Sequence, residues 1–277
     1  MSRTLLQVEG LAVRHGTSVA LDEVSLSLYA GERVAVVGES GSGKTTLIKA
    51  ILGMLPDGTA VDGSVRFDGT ELIGAAPREL DRIRGAQIAL VPQDPLSNLD
   101  PLVRIGRQVT EGALVHGTVR RRQSARVAEG LLDRVGLPDP ARQARRFPHQ
   151  FSGGMRQRAL IAAGIASSPR LLLADEPTSA LDVTVQRRVL DLIDELTSGS
   201  GTALLLVTHD LGVASERADR ILVMRGGRVV EPGRTASVPR SPRPRSARGP
   251  TPAAPPPARA CPPSPPHAAG APLPPHR

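Results

Sequence analysis

The chain has 277 residues, 35 Lys and Arg against 27 Asp and Glu, 26 prolines, one cysteine and four aromatic residues. That length suffices for one large domain or two small ones with a sizeable core. One cysteine excludes a disulfide framework within the chain and fits a reducing compartment. No apolar run reaches the roughly 18–20 residues that span a bilayer, and no signal-peptide pattern opens the chain, so we expect a soluble, cytoplasmic protein.

The formal charge of +8 is unevenly placed. The last acidic residue is Glu231, and beyond it stand seven arginines, no lysine and 16 of the 26 prolines. Residues 1–231 carry 28 basic and 27 acidic groups and read as a nearly neutral globular domain. From about residue 235 onward the chain is rich in proline, arginine and alanine and poor in large apolar residues. Such a segment buries too little surface to offset its chain entropy, so disorder is expected there.

In chain order, residues 5–13 and 24–28 alternate as strands do, and Ala30, Gly31 and Glu32 form a turn. Residues 33–37 are a Val-rich run ending at a glycine, the pattern of a buried strand. After a glycine-rich loop, residues 45–55 have helical spacing, and residues 63–72 suggest a hairpin. From about 95 to 166 strand signals are lacking, and residues 124–135 and 155–166 are periodic as helices are. Residues 171–174 and 203–207 read as short buried strands around a helix over 183–196, and 221–224 with 228–231 as a closing hairpin. Strands alternating with helices imply an α/β fold with a mainly parallel sheet and a helical insertion.

Gly38, Glu39, Ser40, Gly41, Ser42, Gly43, Lys44 and Thr45 match the G-x-x-x-x-G-K-[ST] pattern, between an expected strand and an expected helix. Glycines let backbone N–H groups wrap an anion, and the helix N-terminus adds partial positive charge. Lys44 would reach the β- and γ-phosphates of a nucleotide, and the Thr45 hydroxyl would ligate Mg²⁺. Thr46 completes the candidate nucleotide contacts. The run 171–174 leads into Asp175 and Glu176. At the end of a strand beside such a loop, Asp175 is placed to help hold Mg²⁺, and Glu176 to orient or deprotonate an attacking water. A carboxylate pair alone is more often solvated surface; the buried strand and the loop make this one informative.

Phe151 through Arg158, with Ser152-Gly153-Gly154 at its start, resembles the signature motif of ATP-binding cassette (ABC) ATPases. Gln93 in Val91-Pro92-Gln93-Asp94-Pro95 resembles that family's Q-loop, Ser179 to Asp182 its D-loop, and His209 its switch histidine. The resemblance covers residues 5 to about 235. It implies a P-loop NTPase (RecA-like) core, a small antiparallel β-subdomain, and a helical subdomain, about 95–166, carrying the signature. It also implies a head-to-tail pair in which each ATP lies between the phosphate loop of one chain and Ser152, Gly153 and Gly154 of the other. Gln157 joins the nucleotide-contact set and Asp182 links the two sites. Gln93 touches Mg²⁺ and the attacking water, and His209 the γ-phosphate. His15 stands where the family usually has Tyr or Phe to stack on adenine, so weaker adenine selectivity is expected.

Residues 93–101, Pro148-His149-Gln150 and 180–186 resemble the ATPases of dipeptide, oligopeptide and nickel importers. The implied setting is the cytoplasmic face of the membrane. A separate permease would be the partner, with a second ATPase chain, a copy or a paralogue, and an extracytoplasmic solute-binding protein acting indirectly. A non-transport ABC ATPase of translation or DNA repair, with a nucleic-acid-associated basic tail, is the alternative. One cassette, 108 positions between Lys44 and Ser152, and a near-neutral folded part argue against it, so no nucleic-acid partner is expected. Residues 236–277 depart from the family. A frameshift or truncation near residue 237 is expected, a native arm binding anionic lipid or nucleic acid being the other reading.

Overall fold

The computed structural model describes residues 3–179 and 181–234; the expectations for residues 236–277 lie outside them. The chain opens with β1 (Thr4–His15) and β2 (Ser18–Tyr29), an antiparallel pair joined by a two-residue turn at Gly16 and Thr17. β4 (Ala60–Phe67) pairs with the other edge of β1, and β5 (Thr70–Glu71) with β4. This antiparallel sheet has the order β2-β1-β4-β5.

The second sheet has six strands. β3 (Arg33–Val37), β6 (Ile88–Val91), β7 (Leu171–Asp175), β8 (Ala203–Thr208) and β9 (Arg220–Arg225) run parallel, and β10 (Arg228–Arg234) returns antiparallel along β9. The order is β10-β9-β3-β8-β7-β6. Every residue of β3, β7 and β8 is buried. Their continuous apolar runs therefore mark strands covered on both faces. The expected fold class is the one observed.

One face of the six-stranded sheet packs on α1 (Lys44–Ile51), whose Leu47, Ile48 and Ile51 share one apolar core with Leu6, Val13 and Leu21 of the antiparallel sheet. The other face packs on α6 (Gly153–Ile165) and α7 (Val183–Ser200). Between β6 and β7 the described regular elements are all helical: α3 (Ile105–Val115), α4 (Ser124–Arg134), α5 (Pro140–Ala144) and α6, with short 3-10 turns at Arg121–Gln123 and Pro148–Gln150.

Three local readings need correction. The helix expected over 45–55 stops at Ile51, where Gly53 turns left-handed at φ 59°. Its N–H donates to Ala50 O and that of Met54 to Lys49 O, the paired bonds of a Schellman stop. The helix expected over 183–196 runs on to Ser200 and ends at Gly201, φ 68°. The four-residue β6 and the seven-residue α2 (Pro77–Ile83) and α8 (Leu211–Arg217) add to the expected elements, because segments that short carry almost no periodicity in the sequence.

Candidate functional site

Parallel pairing puts the carboxyl ends of four strands along one edge. Val37 of β3 lies opposite Thr208 of β8, Asp175 of β7 opposite Val207, and Val91 of β6 opposite Ala174. The segments that follow these ends are residues 38–43, Gln93, Glu176 and His209. In open α/β sheets that edge is where ligands bind.

The glycine loop fits only glycine at two points. A Cβ on Gly38 would lie 2.4 Å from Met224 O and 2.5 Å from Ser42 Oγ. Gly43, at φ 101°, caps α1, and a Cβ there would lie 2.7 Å from Ala20 O. The loop is thus pressed between β2 and β9. The Gly227 N–H also donates to Ser42 O at 3.1 Å. This buttress comes from the β9–β10 turn, whose sequence signal is Gly226-Gly227 between two apolar runs.

Lys44 is 5% exposed, and its Nζ donates to Gly38 O at 2.7 Å and Glu39 O at 2.8 Å. Its ammonium lies 3.8 Å from Glu176 Oε1. On the other oxygen, Glu176 Oε2 accepts from Gln93 Nε2 at 3.2 Å and meets His209 Nδ1 at 3.2 Å. One carboxylate therefore joins three of the candidate catalytic groups. Glu176 itself sits at φ 43°, a left-handed conformation costly for a residue with a Cβ. Strain of this kind is held where the surroundings dictate it, often at functional sites.

Asp175, beside it, is 7% exposed, and its Oδ1 has no hydrogen-bond partner. Burial pushes its carboxyl above the usual carboxylate range. A hydrogen bond with Thr45 works against the shift, the Glu176 charge adds to it, and Lys44 and Lys49 offset it. A buried, unsatisfied oxygen beside the Thr45 hydroxyl is the donor set of a hard cation that keeps its waters. Ser42 Oγ is likewise buried without a partner. The cradle that excludes Cβ atoms, the helix N-terminus and Lys44 fit a polyphosphate.

Other expected residues lie elsewhere on the chain. Ser152 caps α6, its Oγ accepting from Met155 N–H at 3.4 Å, and Ser152 and Gly153 are exposed. A Cβ on the half-buried Gly154 would lie 2.7 Å from Val185 Cγ1, so α6 and α7 approach closely there. Asp182 caps α7, its Oδ1 accepting from Thr184 and Val185 N–H at 3.1 and 3.0 Å. Gln157, placed with the nucleotide contacts, is 1% exposed and its Nε2 has no partner. It lies within the protein behind the exposed Ser152-Gly153 face, and in this conformation it touches nothing outside. His15 is exposed at the end of β1, its Nδ1 3.1 Å from Thr59 Oγ1. Thr59 donates its own proton to Pro56 O at 2.7 Å, so His15 Nδ1 is the donor to Thr59.

A family described as "ABC transporter" matches residues 21–179, more than half of the chain. The chain belongs to the ABC transporter family. Among curated relatives it is 48% identical over 232 residues to the oligopeptide transport ATP-binding protein OppD of Mycobacterium bovis, covering 82% of this chain and 38% of that one. To OppD of Bacillus subtilis it is 41% identical over 235 residues, 83% of this chain and 66% of that one. To OppD of Salmonella typhimurium it is 39% identical over 241 residues, 86% and 72%. The chain thus spans between about a third and three quarters of the length of these relatives. Among solved structures, the ATP-binding cassette MJ0796, a dimer bound to ADP and Pi in a post-hydrolysis state, superposes with a TM-score of 0.75 at 29% identity. That match covers 84% of this chain and 100% of that one.

Proposed function

We propose that this chain is the ATP-hydrolysing subunit of a peptide importer. The observation that carries the reading is the Glu176 carboxylate, met within 3.8 Å by Lys44, Gln93 and His209 at the mouth of a phosphate loop. Peptide is the preferred cargo because the relatives are named for oligopeptide transport. Nickel uptake, the other cargo of the resembling subgroup, lacks that support.

Residues 38–46 hold the phosphates, with Lys44 moving from the Gly38 and Glu39 carbonyls to the β- and γ-oxygens. Thr45, Asp175 and Gln93 hold Mg²⁺, which neutralises charge on the phosphates when bound. Glu176 takes the proton of the attacking water, and Gln93 and His209 fix its carboxylate from one side. His209, 62% exposed at its side chain, also turns toward the γ-phosphate. His15 offers an imidazole face to adenine, held by Thr59. Ser152, Gly153 and Gly154 act on the nucleotide of a second chain, with Asp182 at the junction. Residues 1–235 form the ATPase unit, with 95–166 as its helical part.

Among the described residues no helix is long and apolar enough to cross a membrane. In this reading passage belongs to a separate permease, with this chain docked on its cytoplasmic face and a solute-binding protein outside. The test is Glu176→Gln, which keeps the shape and removes the base. ATP hydrolysis should fall by on the order of 10²–10⁴ while nucleotide affinity is kept. Normal hydrolysis by that variant would remove the base from Glu176. Co-purification of the parent with a permease supports the importer reading; enrichment on ribosomes or DNA would replace it.

A further inference from the structure

Beyond the site itself, a partly buried ion network ties the end of α8 and the start of β3 to the middle of α7. Arg217, the last residue of α8, is 4% exposed. Its Nη1 donates to Asp191 Oδ1 at 2.6 Å and to Asp194 Oδ2 at 2.7 Å, both on α7. The other oxygen of Asp194 accepts from Arg33 Nη1 at 3.0 Å, and the Asp194 carbonyl from Arg33 Nη2 at 2.9 Å. Arg33 opens β3, the strand that leads to the phosphate loop, and its N–H donates to Asp219 Oδ2 at 3.0 Å.

These contacts close a ring. His209 meets Glu176, and the next residue, Asp210, caps α8 through the Gly212 and Val213 N–H groups at 2.7 and 3.1 Å. α8 ends on Arg217, which grips α7, and α7 runs back to Asp182, six residues after Glu176. What α8 buries is modest: Ala214, next to Ala218, on Ala35 and Val37 of β3, and the half-buried Val213 against the core on the α7 side of the sheet. A helix of seven residues with so little apolar area takes its position from its ends rather than from its face. One end is the Asp210 cap, and the other is Arg217.

We propose that Arg217 is a positioning residue that sets where His209 stands against Glu176, by fixing α8 to Asp191 and Asp194 of α7. It rests on the proposed function for the part His209 plays in hydrolysis, but not for the coupling itself.

The test uses the full chain. Arg217→Met keeps the stem and removes the charge, and should lower the turnover of ATP about tenfold with KM changed by less than about twofold. In a His209→Ala background the same substitution should lower turnover by less than about twofold, because the two residues act through one contact. Both contacts of Arg217 come from one nitrogen, so Arg217→Lys should restore turnover to within about twofold of the parent. If Arg217→Met does not fold, Asp191→Asn keeps the Asp194 pair and should shift turnover less, in the same direction. An equal loss in both backgrounds overturns the proposal. A parent that hydrolyses ATP no faster than His209→Ala would count against the reading of His209 instead. In that event the proton NMR ring signal of His209, assigned by its absence in His209→Ala, decides the coupling. A signal displaced by Arg217→Met and returned by Arg217→Lys upholds it, and one unmoved by either overturns it.

Discussion

Glu176 and Asp175 are neighbours in sequence with opposite surroundings. Glu176 is held by three polar partners, whereas Asp175 is buried with one oxygen unsatisfied and its carboxyl pushed up by desolvation. An acid whose pKa is raised by folding stabilises the fold only while both states are protonated. That contribution is whole below the ordinary aspartate value of 3.8 and is lost as pH rises through the folded pKa. At neutral pH the buried Asp175, with one oxygen unsatisfied, is therefore a burden on the fold. Asp175→Asn should raise the melting temperature at pH 7 in the presence of a chelator, with the gain vanishing in acid below the ordinary value. Mg²⁺ and nucleotide together should reverse the order, because the parent gains the cation as a partner and the variant does not. Thermal melts at the two pH values, with and without Mg²⁺ and nucleotide, check both halves. A variant no more stable than the parent in chelator would mean that Thr45 and the lysines already satisfy the charge.

At the scale of elements, Asp182 carries two loads that a substitution series separates. It caps α7 with two hydrogen bonds, and it is proposed to face a second chain. Asp182→Ala should cost about 1 kcal/mol of stability, the usual worth of such a cap, whereas Asp182→Asn caps nearly as well. Urea unfolding of both gives the cap; if Asp182→Asn loses ATP turnover at unchanged stability, the charge serves the junction. The element scale also shows where reading the chain succeeds. The phosphate loop was legible because its function lies in eight consecutive residues between two strongly marked elements. The strands bearing Asp175 and His209 were legible because full burial leaves an uninterrupted apolar run. That Gln93 and His209 belong to one site was not in the spacing, since β6 is four residues long; the family resemblance supplied the grouping, and their shared contact with Glu176 is visible only in the structure. The clasp of Arg217 on Asp191 and Asp194 is an arginine at one helix end pairing with acids 23 and 26 positions away. Each alone reads as a solvated surface charge. Gln157 illustrates the reverse: its place beside the signature suggested contact, and the inward face of α6 took it into the protein.

At the scale of the whole molecule, the acidic and basic groups of residues 1–231 nearly cancel, so the net charge of that part neither drives two copies together nor holds them apart. In the proposed pair the nucleotide bridges two chains, Lys44 and the glycine loop on one side and the exposed Ser152-Gly153 face on the other. In a head-to-tail pair with two-fold symmetry every site takes one half from each chain. This gives a test by complementation. Lys44→Ala spoils the phosphate half of its own site, and Gly153→Asp spoils the signature half lent to its partner. Each variant alone makes pairs in which both sites carry a lesion. In a pair of one with the other, both lesions fall in the same site and the remaining site is whole. Equal mixing makes about half of the pairs mixed, so about a quarter of the parental ATP turnover should return if the two sites work independently. No return from the mixture, when the parent alone is active, would rule out a site shared between two copies. A parent inactive on its own would point instead to a partner ATPase of different sequence. Return of activity with a paralogue and not with the second variant would place that partner in the pair.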